Sequence, residues 1–304
     1  MSILPPLVPG RSDARDFRIP ISSFFILSNP RSGSSLLRLM LNSHPHICVP
    51  PECGFVQWLY AKNIKSVDAF VAALSQCKKI ETWNLDMEAL TRHLRALQPG
   101  SYADMCESVY RFYAADKDLK IWGDKNNYYI HHIDILEAVF PSTKYVHLVR
   151  DGRDVACSYK NVMKMRVNSI YAPRLDTDLD KIAKEWTRNV LTVQSHLDRA
   201  ADDRHITLRY EDLVRDPAGT LRSLCAFLRV DYRKEMLNYY SEDNHDEPAA
   251  LMEWKLKTKQ PVDESSSKRF VTELSAQEIQ EFNRTAGDAL CRFGYLDRQA
   301  VNKE

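Results

Sequence analysis

The sequence has no excess of charge, no long apolar run, no paired cysteine motif and no internal repeat, and each absence narrows what it can be. Its 304 residues carry 42 basic against 41 acidic side chains, a net charge of +1. That balance argues against a general polyanion-binding surface, so no nucleic-acid partner is expected. A local basic pocket stays open, because net charge says nothing about distribution. No apolar stretch approaches the roughly 20 residues a membrane helix needs, so no membrane span is expected. The opening MSILPPLVPG is broken by three prolines and lacks a basic n-region, which argues against a signal peptide. Seven cysteines (Cys48, Cys53, Cys77, Cys106, Cys157, Cys225, Cys291) include no C-x-x-C pair. Cys48 and Cys53 are too isolated to suggest zinc. Reduced thiols in a cytoplasmic protein are the expectation. What is present is ordinary for a globular chain, with 44% hydrophobic and 27% charged residues.

Hydrophobic patterning alternates strands with helices. An irregular leader is expected over residues 1–20, a buried strand over 23–28 and a helix over 34–42. A short strand follows at 47–49, before Pro50 and Pro51, which forbid helix there. Residues 54–116 read as several helices with breaks near Ile64, Ile80 and Pro99-Gly100. Strands are expected over 119–125, 144–149 and 205–210. Helices are expected over 128–139, from about 152, over 177–200, after Pro217, and over 275–292. An EDL turn follows the last strand, and 241–273 reads as a long loop rich in charge and serine. Such alternation predicts an α/β fold in three layers, a central parallel sheet flanked by helices. Ligands bind beyond the carboxyl ends of such strands. Polar clusters fall there, at 28–35, 124–126, 150–158 and 210–212.

The first cluster, FFILSNPRSGSSLLRLML, has the outline of a nucleotide-binding P-loop without its lysine. Laid on G-x-x-x-x-G-K-[ST], Ser28 takes the first glycine's place and Gly33 the second. Ser34 stands where the lysine would be, and Ser35 fills the last position. Amides at a helix start favour an anion, and Arg31, Ser32, Ser34 and Ser35 add donors. A triphosphate fits poorly without the lysine; one phosphate with a singly charged group beyond it fits better. The second cluster, VHLVRDGRDVACSY, puts Arg150 at a strand end and Ser158 eight residues later. A guanidinium and a hydroxyl can hold a phosphate together. Alone, the first cluster fits an anion site slightly better than a plain strand–turn–helix junction, and the second fits at least as well a charged turn in which Arg150, Arg153 and two aspartates form ion pairs.

Together these loops resemble the sulfotransferase family that uses 3′-phosphoadenosine 5′-phosphosulfate (PAPS). The similarity is closest to bacterial PRSG-type enzymes and the tyrosylprotein sulfotransferases, and runs from about residue 23 to 295. The resemblance implies a P-loop-type fold in a single domain over 1–304. It implies that PRSGSS cradles the 5′-phosphosulfate through Arg31, Ser32, Gly33, Ser34 and Ser35, and that Arg150 and Ser158 hold the 3′-phosphate. HPHICVPPE is similar to a segment ending in a catalytic glutamate, here Glu52, 21 residues after Arg31. WGDKNNYY is similar to a segment whose lysine, here Lys125, contacts the transferring group. RYEDLV places Tyr210 against the adenosine. SSSKRF resembles a segment closing over the cofactor and brings Ser267, Lys268 and Arg269 there. Arg31 and Lys125 join Glu52 as implied catalytic residues, and no metal is implied.

A sulfuryl transfer needs a base for the acceptor proton. Glu52 is the first choice, with a pKa expected to rise on partial desolvation. His44 and His46 are the runners-up. His44 also reads as a helix C-terminal residue, favourable there when charged, and Lys125 as a surface lysine paired with Asp124. The acceptor expected is a small molecule or carbohydrate, bound by the helical region 54–118. Its Trp58, Tyr60, Trp83, Tyr102, Tyr110 and Tyr113 suit either a ligand or a core. The tyrosylprotein enzymes carry an arginine two positions after the glutamate, where this chain has Gly54. That departure counts against a protein tyrosine. An atypical P-loop kinase and a non-catalytic nucleotide-binding protein are the remaining alternatives.

Overall fold

The computed structural model describes residues 22–165, 167–241 and 247–297. The expected leader over 1–20 lies outside them. The chain opens with β1 (Ser22–Leu27), α1 (Ser34–Asn42) and β2 (Ile47–Cys48), then α2 (Phe55–Tyr60), α3 (Val67–Leu74), α4 (Met87–Leu97) and α5 (Tyr102–Tyr113). There follow β3 (Ile121–Lys125), α6 (Ile133–Val139), β4 (Lys144–Val149), α7 (Gly152–Lys164), α8 (Leu179–Leu197) and β5 (His205–Arg209). The last elements are α9 (Tyr210–Arg215), α10 (Pro217–Leu228), α11 (Phe270–Glu273) and α12 (Ala276–Arg292).

The five strands pair in the order β2-β3-β1-β4-β5, all parallel. Alternation along each strand decides which layer a side chain joins. Phe24 and Ile26 pack on α1, α9 and α10, while Phe25 and Leu27 face the opposite way into α2 to α6. Val149 enters a third cluster with α7, α8 and α12. Helix starts follow their capping chemistry. Ser66, Asp86, Ser101 and Asp178 each accept an amide of the first turn, and Ser275 with Glu278 forms a full capping box.

Three expected elements differ. Residues 128–139 divide into a 3-10 helix, Asn127–His131, and α6, because the Asn126 side chain caps the first piece. The EDL turn is a true helix, α9, whose Leu213 and Val214 are buried. The loop expected over 241–273 contains 3-10 turns at Ala249–Leu251, Leu256–Lys259 and Glu264–Ser266, and then α11. Short apolar anchors such as Leu251 and Trp254 bury against Val162 and Tyr171 and order this segment.

Candidate functional site

Sheet order rearranges the polar clusters. In sequence they run 31, 52, 125, 150, 210. Along the carboxyl edge of the sheet they run Glu52 after β2, Lys125 ending β3, the loop after β1, Arg150 after β4 and Tyr210 after β5. Strand order reverses direction at β1, so the loop after it lies at the switch point where doubly wound sheets bind ligands.

That loop is held open by its own backbone. Arg31 and Gly33 both adopt left-handed conformations, φ 66° and 91°. Gly33 precedes α1 as a residue without a side chain to cap it, so the first-turn amides take no side-chain partner there. A Cβ on Gly33 would lie 2.3 Å from Cδ2 of Tyr210, so glycine is required for the close approach of that ring as well as for φ. The hydroxyls of Ser28 and Ser34 donate to Asn127 Oδ1 at 3.2 and 3.4 Å. Asn29 is anchored by Tyr159 and Asn189. Ser35 is half-buried.

Two arginines converge over the loop. Arg31 Nε donates to Ser158 Oγ at 3.1 Å, and its guanidinium also reaches the Trp254 carbonyl at 3.1 Å. Arg150 donates to the Arg31 carbonyl at 3.0 Å and the Ser266 carbonyl at 2.5 Å, with its guanidinium 4.7 Å from the Tyr210 ring centre. Burial, then the neighbouring Arg150, bring Arg31 down to about 10. Arg150 Nε and Ser32 Oγ are buried polar atoms with no hydrogen-bond partner among the described residues. Two close guanidiniums, orphaned donors and uncapped helix-start amides are the donor set an organic phosphate needs.

The segment containing SSSKRF reaches this cluster by other atoms than its sequence suggested. Ser266, not Ser267, supplies the carbonyl on Arg150, and its hydroxyl accepts from Lys257 at 2.8 Å. Lys268 is left-handed, φ 57°, so its amide turns to Asp154 at 2.8 Å while its side chain is exposed. Arg269 pairs with Glu273 at 2.7 Å. Asp154 also accepts the Phe270 amide and so ties the segment to α7.

The other end of the edge is an ion network. Lys125 is buried and joined to Glu52 Oε1, and Lys79 donates to Glu52 Oε2 at 2.9 Å. Burial pushes the Glu52 carboxyl up, but Lys125, then Lys79 and Lys255, hold it well below the usual carboxylate range. The rise expected from desolvation alone is therefore reversed. Burial draws Lys125 down to about 8, against the pull of Glu52. Glu247 bridges Arg38, at 2.9 Å, and Lys255. The alternative pairing of Lys125 with Asp124 fails because neighbours on a strand face opposite sides. Asp124 accepts the hydroxyls of Tyr110 and Tyr129 in the core instead.

His44 and His46 sit at the far end of β2 from Glu52. His44 Nδ1 accepts the His46 amide at 3.0 Å and Nε2 faces the Asp231 carbonyl at 2.7 Å. Burial lowers its pKa, so it is a neutral imidazole rather than a charged helix-end residue. Of the aromatic candidates, Tyr110 stacks on Trp122 in the core, and Tyr102 donates to the Val56 carbonyl at 2.6 Å. Trp58 is half-exposed, and Tyr60 is exposed. Trp83 and Tyr113 line a cavity of about 800 Å³ together with Pro51, Asn84, Asn168 and Tyr171. Lys79, the partner of Glu52, lies 6.0 Å from the ring centre of Tyr171, one of the cavity's lining residues. Lys79, Lys255 and Glu247 lie outside every motif and sequence reasoning missed them, while Ser266 and Asp154 lie within SSSKRF and VHLVRDGRDVACSY but were given no part in the site.

No helix among the described residues is long and apolar enough to cross a membrane. The model of the Sulfotransferase family matches residues 23–234. Protein-tyrosine sulfotransferase 1 of Danio rerio is 26% identical over 215 residues, covering 71% of this chain and 55% of that protein. Nodulation protein NoeE of Sinorhizobium fredii is 25% identical over 287 residues, covering 89% of this chain and 65% of that protein. The chain thus spans between half and two thirds of the length of these relatives. The sulfotransferase domain from the Synechococcus PCC 7002 olefin synthase superposes with a TM-score of 0.61 at 25% identity, covering 87% of this chain and 94% of that one.

Proposed function

Because the chain belongs to the sulfotransferase family, we propose that it transfers a sulfuryl group from PAPS to a hydroxyl of a small molecule or carbohydrate, acting as one domain and releasing PAP. The observation that carries this reading is the line of Glu52, Lys125, the loop of Arg31 to Ser35 and Arg150 along one sheet edge. The donor set around the loop fits a phosphosulfate. The orphaned Ser32 Oγ and Arg150 Nε lie where it and a 3′-phosphate would bind, Ser158 adds a hydroxyl beside Arg31, and the Tyr210 ring lies against Gly33. When bound, PAPS supplies a sulfuryl group on a good phosphate leaving group.

The chain's own residues supply the rest. Glu52, ionised because its cations outweigh its burial, takes the acceptor's hydroxyl proton. The acceptor oxygen forms its bond to sulfur as the sulfur–oxygen bond to the phosphate breaks. Lys125, still an ammonium below about 8, and Arg31 stabilise the charge that gathers on the sulfuryl and leaving oxygens. The cavity beside Pro51 is the proposed acceptor site. A protein tyrosine suits it less. At Gly54, φ is 74°, which strains any residue with a Cβ, and a Cβ would lie 2.4 Å from the Asn126 side-chain nitrogen, so the arginine of the tyrosylprotein enzymes is disfavoured here. Seven free thiols support a cytoplasmic setting.

Titration calorimetry with PAP in metal-free buffer, against Mg-ATP, tests the cofactor. PAP binding with little ATP binding is expected, and the reverse would establish a kinase-like site. Sulfate transfer from labelled PAPS to a panel of sugars, phenols and tyrosine peptides then tests the acceptor class. PAP binding without transfer to any of them would favour a non-catalytic binding protein.

A further inference from the structure

The two oxygens of Glu52 are not equivalent. Oε1 meets Lys125, which comes from the sheet at the end of β3, beside the loop after β1. Oε2 meets Lys79 at 2.9 Å, which comes from the helical layer at a left-handed residue, φ 72°, just before a 3-10 helix over Ile80–Trp83. A non-glycine residue in that conformation is costly and persists where its surroundings fix it. Here the Ile80 and Trp83 side chains are buried beside it and the Trp83 indole donates to the Pro51 carbonyl at 2.8 Å. The turn carrying Lys79 is thus fastened to the residue preceding Glu52. The Lys79 ammonium also lies 6.0 Å from the Tyr171 ring centre, in the wall of the acceptor cavity.

We propose that Lys79 is the positioning residue of the general base, holding Oε2 so that Oε1 is left to take the acceptor proton when Lys125 turns toward the transferring group. The proposal rests on Glu52 acting as base. A lysine that turns to the sulfuryl oxygens holds the carboxylate less firmly; a second, on a separate element, keeps it fixed. Lys79 keeps Glu52 ionised and oriented while Lys125 is engaged elsewhere. Its attachment to the cavity wall makes the orientation of the base depend on the same turn that shapes the acceptor site.

Charged groups from every neighbouring element bear on Glu52. Lys125, Lys79 and Lys255 lower its pKa. Arg31 faces it from the loop, while Glu247 lies beyond Lys255 and Asp124 behind Lys125. Removing Lys79 takes away one cation and leaves burial unchanged, so the Glu52 carboxyl must titrate higher. The acid limb of turnover then moves to higher pH, because a protonated carboxyl cannot accept a proton.

The test uses the full chain labelled with ¹³C-carboxyl glutamate, with E52Q to assign the resonance, and PAP release from PAPS with phenol, whose hydroxyl stays protonated at neutral pH, as the probe acceptor. In K79M the Glu52 resonance should titrate at higher pH, and PAP release at neutral pH should fall about tenfold or more, with KM for PAPS unchanged. In K79R both should stay near the parent. K79Q keeps a donor without the charge and serves where K79M does not fold; its resonance should also move up. An unmoved Glu52 titration in K79M or K79Q, or undiminished PAP release, would overturn the role of Lys79 and leave the sulfotransferase reading intact. Full PAP release in E52Q would instead remove the base on which the proposal stands.

Discussion

The two ends of the sheet's carboxyl edge hold their cations in opposite ways. From β1 to β5, Arg31 and Arg150 hydrogen-bond neutral oxygens, three backbone carbonyls and one hydroxyl. The nearby carboxylate of Asp154 is turned to the amides of Lys268 and Phe270. Around β2 and β3, Lys79, Lys125, Lys255 and Arg38 are all paired with the carboxylates Glu52 and Glu247. Neutral oxygens are weak partners for a guanidinium and yield readily to an anion. Buried ion pairs resist separation, because an uncompensated buried charge is costly. On the proposed reading, the first end receives a ligand's charge and the second keeps Glu52 ionised and in place as the base. Binding and proton transfer are thereby assigned to different strands.

If that division is real, variants at the two ends should dissociate. The largest effect is expected from E52Q. Turnover should drop about 10²–10⁴-fold, while PAP affinity, read by calorimetry, stays unchanged; full turnover would take Glu52 out of the base role. R150A should do the converse. Losing a charge-assisted hydrogen bond costs about 1.5–3 kcal/mol, so PAP should bind roughly ten- to a hundredfold more weakly, and an unaltered Kd would contradict the phosphate assignment. G33A should be smaller and mixed. The left-handed backbone with a Cβ costs about 1–2 kcal/mol, and the Cβ meets Tyr210 at 2.3 Å. The urea midpoint should fall and PAP affinity with it. An unshifted midpoint would show that the loop tolerates a side chain.

The smallest effect sharpens the contrast from behind the sheet. Asp124, on the face opposite Lys125, is raised to about 6 by burial, against the hydrogen bonds of Tyr110 and Tyr129. The folded state thus binds its proton more tightly than the unfolded chain, whose carboxyl titrates near the usual value of about 3.9. This proton favours the fold at low pH, and the advantage is lost as pH rises from the unfolded value toward about 6. Stability measured across that window should show a downward component that D124N removes. An identical pH dependence in D124N would mean that Asp124 is ionised throughout.

The polar clusters were legible as local pattern, and the family resemblance made them a candidate site. The αL glycine, the arginine with a serine eight residues on, and the glutamate after two prolines all depend on near neighbours, and the structure places each at a strand end. What escaped notice depends on distance along the chain. Glu247 meets Arg38 across 209 residues and Lys79 meets Glu52 across 27, and nothing in the flanking sequence marks either pair. In the run Ser265, Ser266 and Ser267, no spacing rule tells which serine faces Arg150, since a bend of one residue changes the answer. The Glu52 pKa was misjudged for the same reason, because burial is suggested by sequence but the three lysines that outweigh it are not.

The sequence by itself determined most strands and helices, the parallel sheet and the two polar loops at strand ends, because periodicity, turn chemistry and helix-start signals act over a few residues. Only the tertiary structure decided the order of those loops along the edge, with β1 between β3 and β4. It alone set Lys125 against Glu52 rather than Asp124, and brought Lys79 to the same carboxylate. Strand order and the pairing of buried charges are settled by which faces must be covered and which ions must be compensated, and those are properties of the packed chain.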